Sequence, residues 1–203
     1  MSRPVTSIIF DIGKVLVDWD PRYLYEQLIH DEDELNYFLE HVVTLIWHTE
    51  HDRGLTMAEG IKNLVAAYPE HAELIKVYDD RWFETLGDPI NGMEALVGEL
   101  DQAGIPLYGL SNFSAEKFSA FAENFPPLKP MRDIIVSGEE GIVKPDPAIF
   151  ELAITRFSVA PEATLFIDDR EDNTEAAKKA GFKTHLFVDA ATLRADLVSL
   201  NLL

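Results

Sequence analysis

Short apolar runs alternate with stretches of helical periodicity over most of the chain. Residues 8–10 form the first run, which ends at Asp11, and similar runs follow at residues 106–111 and 164–168. A continuous apolar run of this length is typical of a strand buried on both faces of a parallel sheet. Strands that alternate with helices indicate right-handed crossovers. The pattern therefore predicts an α/β fold, a Rossmann-like parallel sheet flanked by helices.

The remaining periodicity completes this alternation in the second half of the chain. Further strands are predicted near residues 133–137 and 183–188. Predicted helices cover residues 91–103 and 115–124, a stretch that begins at Asp146-Pro147, another that ends before Gly181, and the C-terminal residues.

Residues 18–86 show a different pattern, in which helical spacing continues without a strand. Their apolar stripes must pack on one another, which predicts an inserted cap of four helices. The core then comprises residues 1–17 and 87–203. The first helix begins at the Asp20-Pro21 pair. The next two begin at capping boxes, formed by Asp31 with Glu34 and by Thr56 with Glu59. The fourth helix is predicted over residues 70–85.

The composition narrows the classes of partner. The chain has 17 Lys+Arg against 36 Asp+Glu, a net charge of -19. A field of that sign repels phosphate backbones and anionic lipids, so we expect no nucleic-acid and no membrane partner. The absence of Cys excludes disulfides and fits a cytoplasmic protein. We see no signal-peptide pattern and no apolar stretch near the ~20 residues that span a bilayer.

Polar residues follow three of the predicted strands. Asp11 ends the first strand, Ser111-Asn112 ends the second, and Asp168-Asp169 ends the third. The carboxyl ends of parallel strands share one edge of the sheet, where ligands of α/β proteins bind. Each residue alone has a simpler role as a turn or helix cap, but the combination favours a site.

The acidic residues at that edge require a counter-charge. Two like charges ~4 Å apart repel by roughly 4 kcal/mol at an effective dielectric near 20. Asp11, Asp168 and Asp169 would therefore be costly to hold together without a cation. Carboxylate oxygens favour Mg²⁺, which binds one or two carboxylates together with a substrate phosphate. Lys144 supplies a further positive charge for an anionic group.

At this point the chain resembles the haloacid dehalogenase-like hydrolase superfamily. The segments FDIGKVLVD, LSN, the lysine of GIVKPDP, and FIDDREDN match its four motifs in order, over residues 7–188. The FD-x-G start is similar to bacterial sugar 1-phosphate phosphatases. The resemblance implies a Mg²⁺-dependent phosphatase that acts on a small phosphorylated metabolite beneath a mobile helical cap of the first type.

The resemblance also implies roles for individual residues. Asp11 would be the nucleophile and form an aspartyl-phosphate. Ser111 and the Asn112 backbone would hold the phosphoryl oxygens, and Lys144 would neutralise nucleophile and phosphate. Asn173 would orient the lysine or the metal shell. The implied Mg²⁺ ligands are Asp11, Asp169, the Gly13 carbonyl and, through water, Asp168.

Gly13 departs from the family pattern. Most phosphatases of the family carry a second Asp at this position, which protonates the leaving group and then activates water. General acid–base catalysis of this kind typically raises the reaction rate by a factor of about 10²–10⁴. Three explanations are open. The substrate has an acidic leaving alcohol, as a sugar 1-phosphate does; another group such as Lys14, Asp18, His48 or a metal-bound water carries the proton; or the protein is a weak catalyst.

Two other functions compete with the phosphatase. Dehalogenases of the superfamily also lack this Asp, but they attack carbon and need no metal. Asp168 and Asp169 argue against that reaction, because the metal carboxylates have no role in it. A non-catalytic binding protein of the same fold is the other alternative, against which the retained Asp11 and Lys144 argue.

Specificity is expected from the cap. By resemblance, a loop at residues 47–55 would point towards the active site. Trp47, His48 and Arg53 are the candidate substrate residues, and their mixture suits a polar, sugar-like substrate. His51 is more simply explained by packing within the cap. The sequence is compatible with a monomer or a homodimer.

Overall fold

The computed structural model describes residues 4–203, which form one five-stranded sheet, one two-stranded ribbon and eleven α-helices. The strands are β1 (Ser7–Phe10), β2 (Val17–Trp19), β3 (Leu86–Pro89), β4 (Leu107–Ser111), β5 (Ile134–Val136), β6 (Thr164–Asp168) and β7 (Lys183–Leu186). The five-stranded sheet has the order β5-β4-β1-β6-β7, and every neighbouring pair in it is parallel. The predicted α/β fold is therefore confirmed.

Helices connect the strands and cover the sheet. They are α1 (Arg22–Tyr25), α2 (Glu32–Tyr37), α3 (Leu45–Asp52), α4 (Met57–Ala67), α5 (Ala72–Asp80), α6 (Met93–Gln102), α7 (Ala115–Glu123), α8 (Ser137–Glu140), α9 (Pro147–Phe157), α10 (Glu171–Lys179) and α11 (Ala190–Ser199). Within the described part of the chain, none of them is long and apolar enough to cross a bilayer.

The central strand β1 explains why the sheet needs helices on both faces. Successive side chains of a strand point to opposite faces. Ile8 and Phe10 belong to one apolar cluster and Ile9 to another, and all three are fully buried. This arrangement places the carboxyl end of β1, and with it Asp11, in the middle of one sheet edge.

Two expectations for residues 18–86 are wrong. We expected four helices, but the described residues of this segment form five α-helices, because α2 passes into a π-helical turn at Phe38–Val42 and a new helix begins after Thr44. The Thr44 hydroxyl accepts a hydrogen bond from Trp47 N at 3.1 Å and caps that helix, α3. Most of residues 47–55 is therefore helical and not a loop.

The ends of the helical segment meet in the ribbon of β2 and β3, which pair antiparallel with Trp19 opposite Leu86. Short strands of this kind pair across a long sequence separation and leave little local pattern. We propose that residues 18–86 form a cap inserted into the core and refer to them as the proposed cap. It contacts the core through Met57 N, which donates to Glu116 Oε2 at 2.7 Å.

Candidate active site

Three carboxylates meet at the carboxyl edge of the sheet. Asp11 follows β1, Asp168 ends β6, and Asp169 comes next. One oxygen from each lies within 4.8 Å of the others. Asp168 is completely buried, Asp11 is 7% exposed and Asp169 is partly buried. The structure therefore brings together the acidic residues that the sequence places far apart.

Lys144 lies between two of these carboxylates. Its Nζ is 2.8 Å from Asp11 Oδ1 and 2.8 Å from Asp168 Oδ2, and its side chain is 1% exposed. Burial by itself lowers the pKa of Lys144, but the charges of Asp11 and Asp168 outweigh burial and raise it above its ordinary value. The lysine therefore stays charged and holds the Asp11 carboxylate in place.

Asp168 is occupied by partners on several sides. Asn173 Nδ2 donates to its two carboxylate oxygens at 2.9 and 3.1 Å, and the backbone N–H of Arg170 donates to Oδ1 at 2.9 Å. With Lys144 added, most lone pairs of this carboxylate are used. Asp168 and Asn173 thus form a rigid support for the lysine, whereas Asp169 faces the edge with fewer such contacts.

Asn112 fixes the backbone of the same lysine. Its Nδ2 donates to Lys144 O at 3.0 Å, and its Oδ1 accepts from Lys144 N at 2.8 Å. The Ser111 hydroxyl and Asn173 Oδ1 are buried and have no hydrogen-bonding partner within residues 4–203. Buried polar atoms of this kind are rare unless a ligand or water satisfies them. The Ser111 hydroxyl is therefore available to donate a hydrogen bond to an anionic ligand, whereas Asn173 Oδ1 can only accept one.

The charge balance of the cluster fits a divalent cation. Burial raises the pKa of Asp11 well above its ordinary value, Asp168 and Asp169 add to this effect, and Lys144 opposes it. Burial and then Asp168 likewise raise the pKa of Asp169. One lysine cannot neutralise three carboxylates, and a set of hard oxygen donors with room for a phosphate is what Mg²⁺ prefers.

A cavity of about 90 Å³ adjoins this edge, between the core and the proposed cap. Gly13 lines it, and a Cβ added at Gly13 would meet no atom within 4 Å. Most of the other lining side chains are aromatic, imidazole or aliphatic: Val17, Trp19, His48, His51, Met57, Tyr78, Trp82, Leu86 and Phe113.

His48 is the one of the three candidate substrate residues that lines this cavity. Its Nδ1 is 2.7 Å from the Tyr78 hydroxyl. Burial, with a smaller contribution from His51, lowers the pKa of His48 to about 3, so the imidazole is neutral. Its Nε2 is buried without a partner in the described chain, so this ring nitrogen has an unused hydrogen-bonding capacity.

The structure places Trp47 and Arg53 away from the cavity lining. The Trp47 ring packs edge-on against His51, with ring centroids 4.5 Å apart, and its Nε1 donates to Gly60 O at 3.3 Å. The Arg53 guanidinium pairs with the half-exposed Glu50 at 2.8 Å. Neither Trp47 nor Arg53 therefore lines the cavity that His48 lines.

Asp52 is a further site residue, which the sequence pattern did not predict. Asp52 ends α3 and lines the cavity with Gly13 and Asn112. Burial raises its pKa to about 7, and the charge of Lys144 opposes this effect. Asp52 lies within residues 47–55, the segment expected to point towards the active site. A lone Asp in a polar run gives no indication that the fold will bury it.

Comparisons with known proteins agree with this architecture. Drimenol cyclase drtB of Aspergillus calidoustus is 26% identical over 204 residues, which cover 90% of this chain and 34% of that protein. D-ribitol-5-phosphate phosphatase of Bacteroides thetaiotaomicron is 36% identical over 73 residues, which cover 34% of this chain and 35% of that protein. The chain spans only 6% to 45% of the length of three curated relatives that it matches.

Solved structures share the fold. A HAD family enzyme of Bacteroides thetaiotaomicron, solved with magnesium and inorganic phosphate, has a TM-score of 0.70 and 21% identity, and the match covers 93% of this chain and 98% of that one. The profile of the haloacid dehalogenase-like hydrolase family matches residues 5–181. The chain therefore belongs to the haloacid dehalogenase-like hydrolase family.

Proposed function

We propose that this hydrolase is a Mg²⁺-dependent phosphatase that cleaves a small phosphate monoester through an aspartyl-phosphate. The observation that carries the proposal is the position of Asp11. Its buried carboxylate is held by Lys144 at 2.8 Å, in a cluster of three carboxylates at the edge where α/β proteins bind ligands.

The residues around Asp11 have complementary tasks in phosphoryl transfer. The Asp11 carboxylate attacks phosphorus, and Lys144 and the Ser111 hydroxyl donate to the phosphoryl oxygens. Asn112 and Asp168 hold Lys144 in position. Catalysis of this kind depends mostly on positioning and on stabilisation of charge.

A metal ion complements these groups. Asp11, Asp169 and the Gly13 carbonyl would hold Mg²⁺, with Asp168 acting through water. Bound there, the ion neutralises charge on the phosphate. Lys144 alone leaves the site with an excess of negative charge, which explains why a phosphatase with this set of residues needs the cation.

The relatives support a small phosphorylated substrate. One matched relative is a D-ribitol-5-phosphate phosphatase, and one structural neighbour was solved with magnesium and inorganic phosphate. The cavity of about 90 Å³ suits a compact leaving group, and its lining offers the Trp19 ring and the unpartnered His48 Nε2 to a sugar phosphate. We expect the protein to act in the cytoplasm, as a monomer or homodimer.

A panel of phosphate esters tests the proposal. We expect the wild type to release inorganic phosphate with Mg²⁺ and not after chelation, and Asp11→Asn to lose this activity. Asp172→Asn is a matched control, because Asp172 is exposed and pairs with Arg170. Full activity of Asp11→Asn would overturn the assignment of the nucleophile, and metal-independent halide release from a 2-haloacid would identify a dehalogenase instead.

A further inference from the structure

The missing carboxylate at Gly13 has a counterpart across the cavity. Asp52 reaches the same cavity from α3, whereas Gly13 reaches it from the loop after β1. Asp52 is partly buried, and Lys144 is the charged group that acts on it. Lys144 also contacts Asp11, so the nucleophile and Asp52 lie within the field of one lysine. A residue with a carboxyl group thus lines the same cavity as Gly13 and lies close enough to Lys144 to interact with its charge.

The backbone of Asp52 is fixed on the core. The Ser137 hydroxyl donates to Asp52 O at 2.6 Å and accepts from Phe113 N at 3.0 Å. Two residues later the chain passes close to α8, where a Cβ on Gly54 would lie 3.1 Å from Gly138 O. The end of α3 is therefore held against α8, whose Ser137 is in turn bonded to the loop that follows β4. Asp52 does not depend on a mobile tip for its position.

The other groups that could carry the proton are less suitable. Lys14 Nζ pairs with Asp18 Oδ1 at 2.7 Å, outside the cavity lining. Burial raises the pKa of Asp18, but hydrogen bonds from Lys14 and Tyr23 outweigh burial and hold it below its usual range, so Asp18 is ionised. His48 is neutral at physiological pH because burial lowers its pKa to about 3. Neither Asp18 nor His48 is therefore protonated when a leaving group needs a proton.

We propose that Asp52, contributed by the proposed cap, is the general acid and base that replaces the carboxylate absent at Gly13. This role rests on the proposed phosphatase function. It makes α3 part of the catalytic machinery and makes the seating of the cap on the core a requirement for turnover.

Protons and bonds balance over the two half-reactions. First, a bond forms between an Asp11 oxygen and phosphorus, the bond from phosphorus to the leaving oxygen breaks, and the Asp52 carboxyl gives its proton to that oxygen. Then a water oxygen bonds to phosphorus, its proton passes to the Asp52 carboxylate, and the Asp11–phosphorus bond breaks to release inorganic phosphate. The pKa of Asp52, raised by burial to about 7, keeps both of its forms populated at neutral pH.

Two phosphate esters of similar size but different leaving groups test the role of Asp52. Benzyl phosphate expels an alcohol that needs a proton, whereas 4-nitrophenyl phosphate expels a stable phenolate. The value of kcat/KM reports the phosphorylation step for each. We expect Asp52→Asn to lower kcat/KM for benzyl phosphate by roughly 100-fold or more and that for 4-nitrophenyl phosphate by less than about 3-fold. Glu50→Gln, on the exposed part of the same helix, should change neither.

A second variant protects the test against a structural defect. The space at Gly13 admits a side chain, so Gly13→Asp placed in the Asp52→Asn protein should restore hydrolysis of benzyl phosphate. Three outcomes would each overturn the role of Asp52 and leave the phosphatase proposal intact. Asp52→Asn could lose activity equally on both esters, or it could lose none on either. The wild type could also cleave 4-nitrophenyl phosphate but not benzyl phosphate. A wild type that cleaves no phosphate ester with Mg²⁺ would refute the phosphatase itself.

Discussion

Replacing Lys144 by Met should destabilise the protein in a way that depends on pH. The ammonium group lies 2.8 Å from both Asp11 and Asp168, and its removal leaves two buried carboxylates facing each other. Oxygens up to 4.8 Å apart repel by about 3 kcal/mol at an effective dielectric near 20. Breaking a buried ion pair typically costs about 3–5 kcal/mol, which agrees with that figure.

The free energy of unfolding in urea, followed by tryptophan fluorescence in chelator, measures this cost. We expect Lys144→Met to lose about 3–5 kcal/mol at pH 8. Without the lysine, the pKa of Asp11 rises further in the folded state. The stability of the variant therefore falls as pH rises, and the loss should be smaller at pH 5. Lys178→Met is the control: Lys178 is 65% exposed and pairs with Glu175, so it should lose at most about 0.5 kcal/mol. A loss below about 1 kcal/mol for Lys144→Met, or one independent of pH, would refute this reasoning.

Three further predictions follow from the same geometry. Mg²⁺ at 100 times its Kd should stabilise the wild type by about 2.7 kcal/mol and so raise its thermal midpoint. Asp169→Asn should abolish this rise, and Asp172→Asn should retain it. Burial raises the pKa of Asp52 from 3.8 to about 7, so folding favours the protonated form of this carboxyl. The stability that this protonated form contributes is therefore lost as pH rises from about 4 to about 7. Asp52→Asn should therefore become more stable than the wild type by up to about 4 kcal/mol between pH 4 and pH 8 in urea titrations, and a constant difference would contradict the burial. Tyr78→Phe removes the hydrogen-bonding partner of His48 Nδ1 and should lower the free energy of unfolding by about 1–3 kcal/mol in the same assay. An unchanged urea midpoint would show that this hydrogen bond contributes nothing to stability.

The core of the fold was predictable because each buried strand carries its own apolar run. Residues 106–111 and 164–168 were expected as strands and form β4 and β6. The ribbon of β2 and β3 was not predictable, because its strands pair across the whole proposed cap and are only three and four residues long. α3 was missed because its polar and aromatic residues show little apolar periodicity.

The candidate site could be predicted only where chain position determines it. Asp11 and Asp168 lie at strand ends, so the topology of a parallel sheet alone brings them to one edge. Asp52 lies at a helix end far from any strand, and only packing of the proposed cap against the core brings it to the cavity. Its raised pKa is likewise a consequence of tertiary burial, which no local pattern records.

Trapping of the phosphorylated enzyme tests the central claim most directly. Labelled 4-nitrophenyl phosphate, mixed with the wild type and Mg²⁺ and quenched in acid within the first turnover, should leave the phosphoryl group on the peptide that contains Asp11. Asp11→Asn and the chelated wild type should carry no label. Rapid release of phosphate with no covalent label, or with the label on another residue, would contradict Asp11 as the nucleophile.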